Sequence, residues 1–313
     1  MTIVANTFTA YSAIGIREQL SDIIYNIAPT QTPFLNMCKK GKAANILFEW
    51  QKDTLDAAAN NAQLEGDDIS SFAAVTPTVR VNNRTQISYK TIVLSATEQA
   101  VTKAGRKDEI AYQIMLKGKA LKRDMETALT QNTTAVTGST TVARQTRGLE
   151  GWVGGTNSNL GASGVAAAPS TNTAPTDGTQ RTFTEALLKD CWQKTYTSGG
   201  NPDTLMVGPT QKQTVSTFTG NATRFDKSED AKLYAAISVY VGDFGEIKVV
   251  PNRFQRNRTA FLLESDKWAC NYLRQFQVEP LAKTGDAEKR LLVVEYGLQS
   301  MEEAASGAIR DLL

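Results

Sequence analysis

Histidine is absent from the 313-residue chain, which removes the side chain most used for proton transfer near neutral pH and the commonest metal ligand. The motifs GxxxxGK[ST], GxGxxG, HExxH and GxSxG are absent as well, so four common classes of enzyme chemistry lack their signatures. We therefore expect no catalytic residues, no cofactor and no metal site. A serine–lysine or paired-carboxylate enzyme is a minor alternative, because the closest acidic pairs, Asp67/Asp68 and Glu302/Glu303, are typical of solvated surface charge.

Cysteine is scarce and hydrophobic runs are short. The three cysteines, Cys38, Cys191 and Cys270, are widely spaced and form no CxxC pair, which is typical of a protein in a reducing cytoplasm. No window approaches ~18 consecutive apolar residues, and the N-terminus lacks the basic region and apolar core of a signal peptide. We therefore expect neither export nor a membrane span.

The overall composition predicts a globular protein with little net charge. Apolar residues make up 41% of the chain and charged residues 21%, which is ordinary for a folded protein with a core. The length favours one large domain with lobes or two domains that share a sheet. The 34 basic residues exceed the 32 acidic residues by only two, which argues against free nucleic-acid binding as the main role.

The first hundred residues predict an N-terminal arm and a projecting loop. An apolar stripe between residues 8 and 28 includes Ile16 and Ile24 and is typical of a short amphipathic helix that docks within the subunit or on a neighbour. Segments 46–51 and 79–94 are rich in aromatic and branched residues and predict strands. The polar stretch 53–78 between them is too long for an ordinary hairpin turn, so we expect it to project.

A long helix is predicted to begin at Ser95 and to end near residue 131. Ser95 and Glu98 have capping-box spacing, helix-forming residues follow, and Gly105 is a candidate kink or break. The predicted buried stripe comprises Ile110, Ile114, Gly118, Leu121, Met125 and Ala128, with Lys107, Lys117, Lys119, Lys122 and Arg123 largely off it.

The second half of the chain predicts an irregular excursion, an α/β lobe and a final set of strands. Residues 132–181 are rich in Thr, Gly, Ser and Ala, and part of this excursion should pack because Trp152 would otherwise lie in solvent. A helix through residues 183–191, a strand at 205–207 and a short helix at 209–218 then form an α/β lobe. Further strands are predicted at 235–241, 247–250, 259–264, 272–281 and 291–301.

Two short motifs have both a functional and a structural interpretation. Asp243-Phe244-Gly245 spells the magnesium triplet of protein kinases, but no other kinase motif accompanies it, so we interpret it as a hairpin turn. The basic hexamer 253–258 contains Arg253, Arg256 and Arg258 around an aromatic residue, a combination that can bind phosphates. A charged loop between two strands is the favoured interpretation of this hexamer.

The order of these elements resembles the Hong Kong 97 type fold of tailed-phage major capsid proteins, an α+β fold with an N-terminal arm, extended loop, long spine helix, peripheral domain and α/β axial domain. Local strings are similar to those of the SU10-like major head protein family. They are 28–34 (APTQTPF), 49–55 (EWQKDTL), 61–66 (NAQLEG), 83–87 (NRTQI), 121–126 (LKRDME), 272–274 (YLR) and 281–286 (LAKTGD). The strings cover nearly the whole chain in the family's order.

The resemblance implies a division of the chain into five segments. These are the arm (1–45), the extended loop between strands (46–94), the spine helix and irregular excursion of the peripheral domain (95–181), the axial domain (182–258) and the returning strands of the peripheral domain (259–313). The excursion is longer than in some relatives, and no large scaffolding segment precedes the arm.

The resemblance also implies a function and partners. We expect a shell subunit that assembles with itself through hexamers and pentamers in the host bacterial cytoplasm, without enzymatic activity. Expected partners are a separate scaffolding protein, a portal, optional decoration proteins and packaged double-stranded DNA, but no membrane. The expected interface residues are Phe8, Tyr11, Ile16, Ile24, Leu64, Glu65, Asp67, Asp68, Ile69 and Phe72, and Arg253, Arg256 and Arg258 are candidates to face the DNA. An encapsulin-like compartment shell and a tail-tube protein are the alternatives.

Overall fold

The computed structural model describes residues 31–66, 72, 74–101, 108–218 and 238–313. Its helices are α1 (Pro33–Met37), α2 (Ala96–Ala100), α3 (Glu109–Thr130), α4 (Leu149–Trp152), α5 (Glu185–Thr197) and α6 (Pro209–Val215). Its strands are β1 (Lys39–Lys42), β2 (Leu47–Lys52), β3 (Val79–Arg84), β4 (Gln86–Ser95), β5 (Ser158–Asn159), β6 (Thr204–Val207), β7 (Val239–Gly242), β8 (Gly245–Pro251), β9 (Ala260–Leu263), β10 (Trp268–Pro280), β11 (Ala287–Ser300) and β12 (Gly307–Ile309).

The strands form two larger sheets and one separate hairpin. One sheet has the order β1-β10-β11-β4, the other has the order β5-β12-β9-β6-β8-β7, and β2 pairs only with β3. The strands predicted at 272–281 and 291–301 are confirmed as β10 and β11, and both begin four residues earlier than predicted. The strand predicted at 79–94 is instead divided at Thr85 into β3, which pairs with β2, and β4, which pairs with β11. The hairpin β2–β3 likewise confirms the two strands expected on either side of the projecting loop.

Helix α3 packs on one face of the four-stranded sheet. Leu121, Met125 and Leu129 are fully buried in the same apolar cluster as Leu292 and Tyr296 of β11. Because side chains three and four residues apart lie on one side of a helix, this stripe faces the sheet over several turns. The predicted stripe is confirmed at Leu121 and Met125, whereas its other positions are only half-buried.

The long helix begins later than the sequence predicted. Ser95 does cap a helix, since its Oγ accepts a hydrogen bond from Glu98 N at 3.1 Å, but that helix ends at Ala100. The long helix starts at Glu109, where Asp108 Oδ1 accepts hydrogen bonds from Ile110 N and Ala111 N. The helix predicted from Ser95 to about residue 131 is therefore two helices, because Asp108 provides a second cap. The candidate break at Gly105 falls between them and lies outside the described residues.

The α/β lobe has its own core around Trp192. This side chain is 1% exposed and lies beside Tyr240 and Phe244, with ring centroids 6.3 and 5.9 Å away. The predicted helix, strand and short helix correspond to α5, β6 and α6. Asp243 and Phe244 form the turn between β7 and β8, as predicted, and Gly245 follows in a left-handed conformation (φ 132°).

The excursion after α3 is irregular but is not a surface feature throughout. Leu149, Trp152 and Val153 are completely buried, which confirms that part of it packs. The excursion also supplies β5 to the six-stranded sheet, and β9 and β12 belong to the same sheet as β6 and β8. This sheet therefore crosses the expected boundary at residues 258/259, and the division into five segments stays a prediction. Within the described ranges, none of the helices is both long and apolar enough to span a membrane.

Candidate assembly surfaces

The loop between β2 and β3 displays apolar side chains to solvent. Leu55 is 98% exposed, Leu64 81%, Phe72 86% and Val75 94%. Residues 53–78 also carry five carboxylates and no lysine or arginine. A segment with large apolar side chains and one sign of charge, held away from the core, is typical of a surface that another protein covers.

The base of this loop is fixed by an ion-paired lysine. Lys52 Nζ, at the end of β2, lies 2.9 Å from Glu302 Oε1 and 2.6 Å from Glu303 Oε2. Burial lowers the pKa of Lys52, but the hydrogen bonds to Glu303 and Glu302 outweigh it and raise the pKa above its ordinary value. Glu302 and Glu303 are therefore not the freely solvated pair that the sequence suggested, because they hold the loop base against the C-terminal segment.

Asn83 of β3 connects the hairpin to the rest of the subunit. Its side chain is fully buried and donates hydrogen bonds to Leu298 O at 2.5 Å and to Thr146 Oγ1 at 3.0 Å. Its Oδ1 accepts a hydrogen bond from Arg147 N at 3.0 Å. One amide thus binds β11 and the excursion together, with both its nitrogen and its oxygen engaged.

Thr85 is the single residue between β3 and β4, and it is held from three sides. Its N donates to Ile46 O at 2.9 Å, its Oγ1 donates to Glu295 Oε1 at 2.8 Å, and its O accepts from Arg144 Nε at 2.7 Å. Arg144 also pairs with the Glu295 carboxylate, and Arg274 Nε lies 3.0 Å from Glu295 Oε2. The root of the loop is therefore rigidly joined to the four-stranded sheet.

Aromatic side chains support the hairpin from below. Phe48 and Trp50 are stacked with ring centroids 5.7 Å apart, and Trp50 lies 5.5 Å from the buried Trp152. Arg147 lies over the Trp152 ring at 4.3 Å, a cation–π contact. This packing fixes the direction in which the loop leaves the subunit.

The four-stranded sheet has one face that α3 does not cover. Ile87, Tyr89 and Val93 of the edge strand β4 point away from α3 and are 46%, 62% and 59% exposed. Their neighbours on this side include Leu291 of β11, which pairs with Thr91 and is half-buried. We call Ile87, Tyr89, Val93 and Leu291 the open sheet face.

The N-terminal end of the described chain is held on α3 by Glu126. Its carboxylate accepts hydrogen bonds from Phe34 N and Leu35 N at 2.8 Å each and from Asn252 Nδ2 at 2.6 Å. Burial raises the pKa of Glu126, and the three hydrogen bonds oppose that shift. Glu126 thus fixes Phe34 and Leu35, near the start of the described chain, on α3.

A buried ionic cluster joins the excursion, the 252–259 loop and the C-terminus. Arg310 donates to Ser158 Oγ, Glu150 Oε2, Glu150 O and Val153 O at 2.9, 3.2, 2.7 and 2.7 Å. Burial raises the pKa of Glu150, whereas the charges of Arg310 and Arg256 oppose the shift.

Two arginines of the basic hexamer belong to this cluster. Arg256 pairs with Glu150 at 3.0 Å and with Asp177, and Arg258 lies 3.1 Å from the carboxylate of the buried Asp311. Arg253 is exposed. The hexamer is therefore a charged loop between β8 and β9, as favoured, and two of its three cations are engaged by carboxylates of the same chain. A DNA contact by these three residues stays a prediction.

The expected interface residues fall in two groups. Leu64, Glu65 and Phe72 are described and exposed on the loop. Phe8, Tyr11, Ile16, Ile24, Asp67, Asp68 and Ile69 lie outside the described residues. Their interface roles stay predictions.

Sequence reasoning missed the polar residues that hold these surfaces in place. Asn83, Glu126, Glu150 and Arg310 have partners far away in the chain, for example the 160 residues that separate Glu150 from Arg310. The one local signal was Glu150, a carboxylate between Leu149 and Trp152 in an apolar stretch.

Comparison with known proteins gives one consistent result. The family model described as SU10 major capsid protein matches residues 3–313. The chain is 28% identical over 338 aligned positions to the major capsid protein of Escherichia phage Phieco32, with 96% of each chain covered. It is similar in structure to the capsid asymmetric unit of cyanophage A-1(L), with a TM-score of 0.63, 15% identity and 95% of this chain and 97% of that chain covered. It is also similar to the capsid of a native GTA particle, with a TM-score of 0.65 and 11% identity, and the match covers 99% of this chain and 100% of that chain.

Proposed function

The chain belongs to the SU10 major capsid protein family, and we propose that it closes its shell by laying the loop of one subunit over the open sheet face of the next. It is a phage major capsid protein with the Hong Kong 97 type fold, as the sequence resemblance indicated. The comparisons do not favour a compartment shell or a tail tube. The family is a structural family and not an enzyme family.

The observation that carries the proposal is the exposure of Leu55, Leu64, Phe72 and Val75 on one projecting loop. Burying one such side chain completely contributes about 1.5–3 kcal/mol. Part of this gain is offset by the ordering of the loop and by lost freedom of the subunits. Each contact is therefore modest, and a closed shell gains its stability from the number of contacts.

The open sheet face fits this occupant in polarity. Ile87, Tyr89 and Val93 form an apolar row on an edge strand, and Lys289 lies opposite Val93 in the strand register. An apolar row beside a cation suits a loop whose apolar side chains alternate with carboxylates. Because the loop and the face lie on the same subunit, the contact is head-to-tail and repeats around a ring.

The further parts of the proposal follow from the family. Rings of six and five subunits build the icosahedral shell in the bacterial cytoplasm, and the shell encloses double-stranded DNA. The N-terminal arm, expected over residues 1–45, forms a second contact with a neighbouring subunit, and within it Glu126 holds Phe34 and Leu35 on α3. A scaffolding protein, a portal and optional decoration proteins complete the assembly.

The test is negative-stain electron microscopy of full-length variants. The loop variant, Leu64→Ser with Phe72→Ser, should give folded subunits that form no closed shells. The face variant, Tyr89→Ser with Val93→Ser, changes the open sheet face and should also give folded subunits that form no closed shells. Val142→Ser with Val165→Ser is the matched control, because these residues are 53% and 55% exposed outside both surfaces. The control should form shells as the wild type does.

Mixing the two defective variants sharpens the test. The loop variant keeps its sheet face and the face variant keeps its loop, so one contact per pair remains possible and no ring can close. Analytical ultracentrifugation of the mixture should show dimers at concentrations where each variant alone is monomeric. Closed shells formed by either variant with wild-type yield would show that this contact is not the one that closes the shell.

A further inference from the structure

We infer that α3 carries a second interaction surface, a basic ridge of Lys119, Lys122 and Arg123 that binds the phosphate backbone of double-stranded DNA. The three residues have i, i+3, i+4 spacing, so they lie on one side of the helix. Lys119 and Lys122 are exposed and Arg123 is half-buried. The inference rests on the proposed function, because it names a partner for the opposite side of the same shell subunit.

Within the described ranges, the cations of the ridge form no ion pairs. In the part of the chain that the structure describes, no carboxylate lies within ion-pair distance of Lys119, Lys122 or Arg123. The acidic residues of the same stretch of α3 are already engaged, since Asp124 lies 2.6 Å from Lys90 Nζ and Glu126 holds Phe34 and Leu35. The ridge therefore keeps its positive charge for an external partner.

Aromatic rings flank the ridge and hold its cations in position. Arg123 lies over the ring of Phe254 at 5.5 Å, and Lys122 Nζ lies 6.0 Å from the ring centroid of Phe276. The Nε of Arg123 is buried and makes no hydrogen bond to the described residues. Arg253, which precedes Phe254, is exposed and extends the positive surface. Arg256 and Arg258 of the basic hexamer pair with carboxylates, whereas Arg253 has no carboxylate partner among the described residues, so the phosphate-binding surface lies mainly on the helix.

The spacing and chemistry of the ridge fit a phosphate backbone. One helical turn places Lys119 and Arg123 about 6 Å apart along the axis. Successive phosphates of one DNA strand advance about 3.4 Å along the duplex, so the ridge spans about two such steps and meets two or three phosphates. Lysine and arginine contacts of this kind need no base sequence, which suits a shell that holds a whole genome.

The acidic loop of a second subunit is the alternative negatively charged partner for the ridge. It would bring Leu55, Leu64, Phe72 and Val75 with it, and these side chains need an apolar receiver. Beside the ridge, the exposed apolar side chain of α3 is Met115, at 48%. The open sheet face offers an apolar row instead, and it lies on the side of the sheet opposite α3. The loop and DNA are therefore assigned to opposite sides of the sheet.

The test is the salt dependence of DNA binding by unassembled full-length subunits. Binding to a 30-base-pair mixed-sequence duplex is measured by fluorescence anisotropy between 50 and 200 mM salt. Each lost phosphate contact lowers the slope of log affinity against log salt by about 0.9, so K119Q/K122Q/R123Q should reduce it by about 2 to 3. K119R/K122R/R123K keeps the charges and should keep the slope.

The matched control is K39Q/K40Q/K42Q, which removes three exposed lysines from β1 and gives the same net charge. Its slope should stay close to the wild-type value. An equal fall in both triple variants, or an unchanged slope in the ridge variant, would overturn the inference. Equal competition by poly-L-glutamate would assign the ridge to an acidic polypeptide instead. Electron microscopy of the same variants separates the two proposals. If the ridge variant forms closed shells and its salt slope of DNA binding equals the wild-type slope, the DNA-binding ridge is rejected while the loop contact stands.

Discussion

Replacing Arg310 by methionine should destabilise the subunit strongly, although Arg310 belongs to neither candidate surface. The side chain is 4% exposed and makes four hydrogen bonds, two of them to backbone carbonyls of Glu150 and Val153. Its removal leaves the Glu150 carboxylate, which is 0% exposed, with Arg256 and Thr259 as remaining partners. Breaking a buried ion pair from one side typically costs about 3–5 kcal/mol.

A double-mutant cycle separates the ion pair from the lost packing. If the penalty arises from an uncompensated Glu150 charge, adding Glu150→Gln to Arg310→Met should cost less than the sum of the two single changes, with a coupling of about 1–3 kcal/mol. Arg290→Met is the matched control, since Arg290 forms a half-exposed pair with Glu288 at 3.5 Å. Pairs of that kind contribute about 0–1 kcal/mol.

The assay is urea unfolding of unassembled subunits followed by far-UV circular dichroism. A shift of the midpoint with an unchanged slope reports a change in stability alone. A loss of less than about 1 kcal/mol for Arg310→Met, or strict additivity with Glu150→Gln, would show that the cluster is not a coupled ionic unit.

Two further predictions concern α3 and its neighbours. Gly118→Ala should stabilise the subunit by up to about 1 kcal/mol, because the new Cβ would lie 3.8 Å from Leu292 Cδ2 in ordinary contact. Gly148→Ala should destabilise it by about 1–3 kcal/mol, because the new Cβ would clash with Gln131 O. Thermal unfolding of the two variants checks both changes. Burial raises the pKa of Glu126 above 4.5, so the folded chain holds this proton more tightly, and the carboxyl's contribution to the free energy of unfolding should fall as pH rises above that value. Glu126→Gln should remove that part of the pH dependence in urea titrations.

The sequence predicted the elements whose signals are local. The strands around the loop and the long pair β10–β11 follow from alternating branched and aromatic residues, because a half-buried strand imposes a two-residue period. The stripe on α3 was recognised at Leu121 and Met125 for the same kind of reason. Gly105 was named as a candidate break, but the start of the long helix at Glu109 was not predicted, since Ser95 and Asp108 are both good caps and composition alone does not show that each starts its own helix.

The polar framework could not be predicted in the same way. Glu126 lies on the helix face where sequence patterns place solvated charge, and only the approach of Phe34 and Leu35, more than 90 residues earlier, makes it a buried acceptor. Arg256 and Arg258 looked available for phosphate because Glu150, Asp177 and Asp311 are remote in sequence. The loop itself was recognisable from its length and composition, whereas the open sheet face required knowledge of which side of β4 the helix covers.

The single residue between β3 and β4 leaves no flexible hinge between the loop hairpin and the four-stranded sheet. Thr85 is bound to Ile46, Glu295 and Arg144, so β3 cannot swing relative to β4 unless these hydrogen bonds break. A neighbouring subunit that pulls on the loop therefore pulls directly on the edge of the four-stranded sheet. Mechanical load that passes around a ring of such subunits would therefore be transmitted to the hydrogen bonds between β4 and β11.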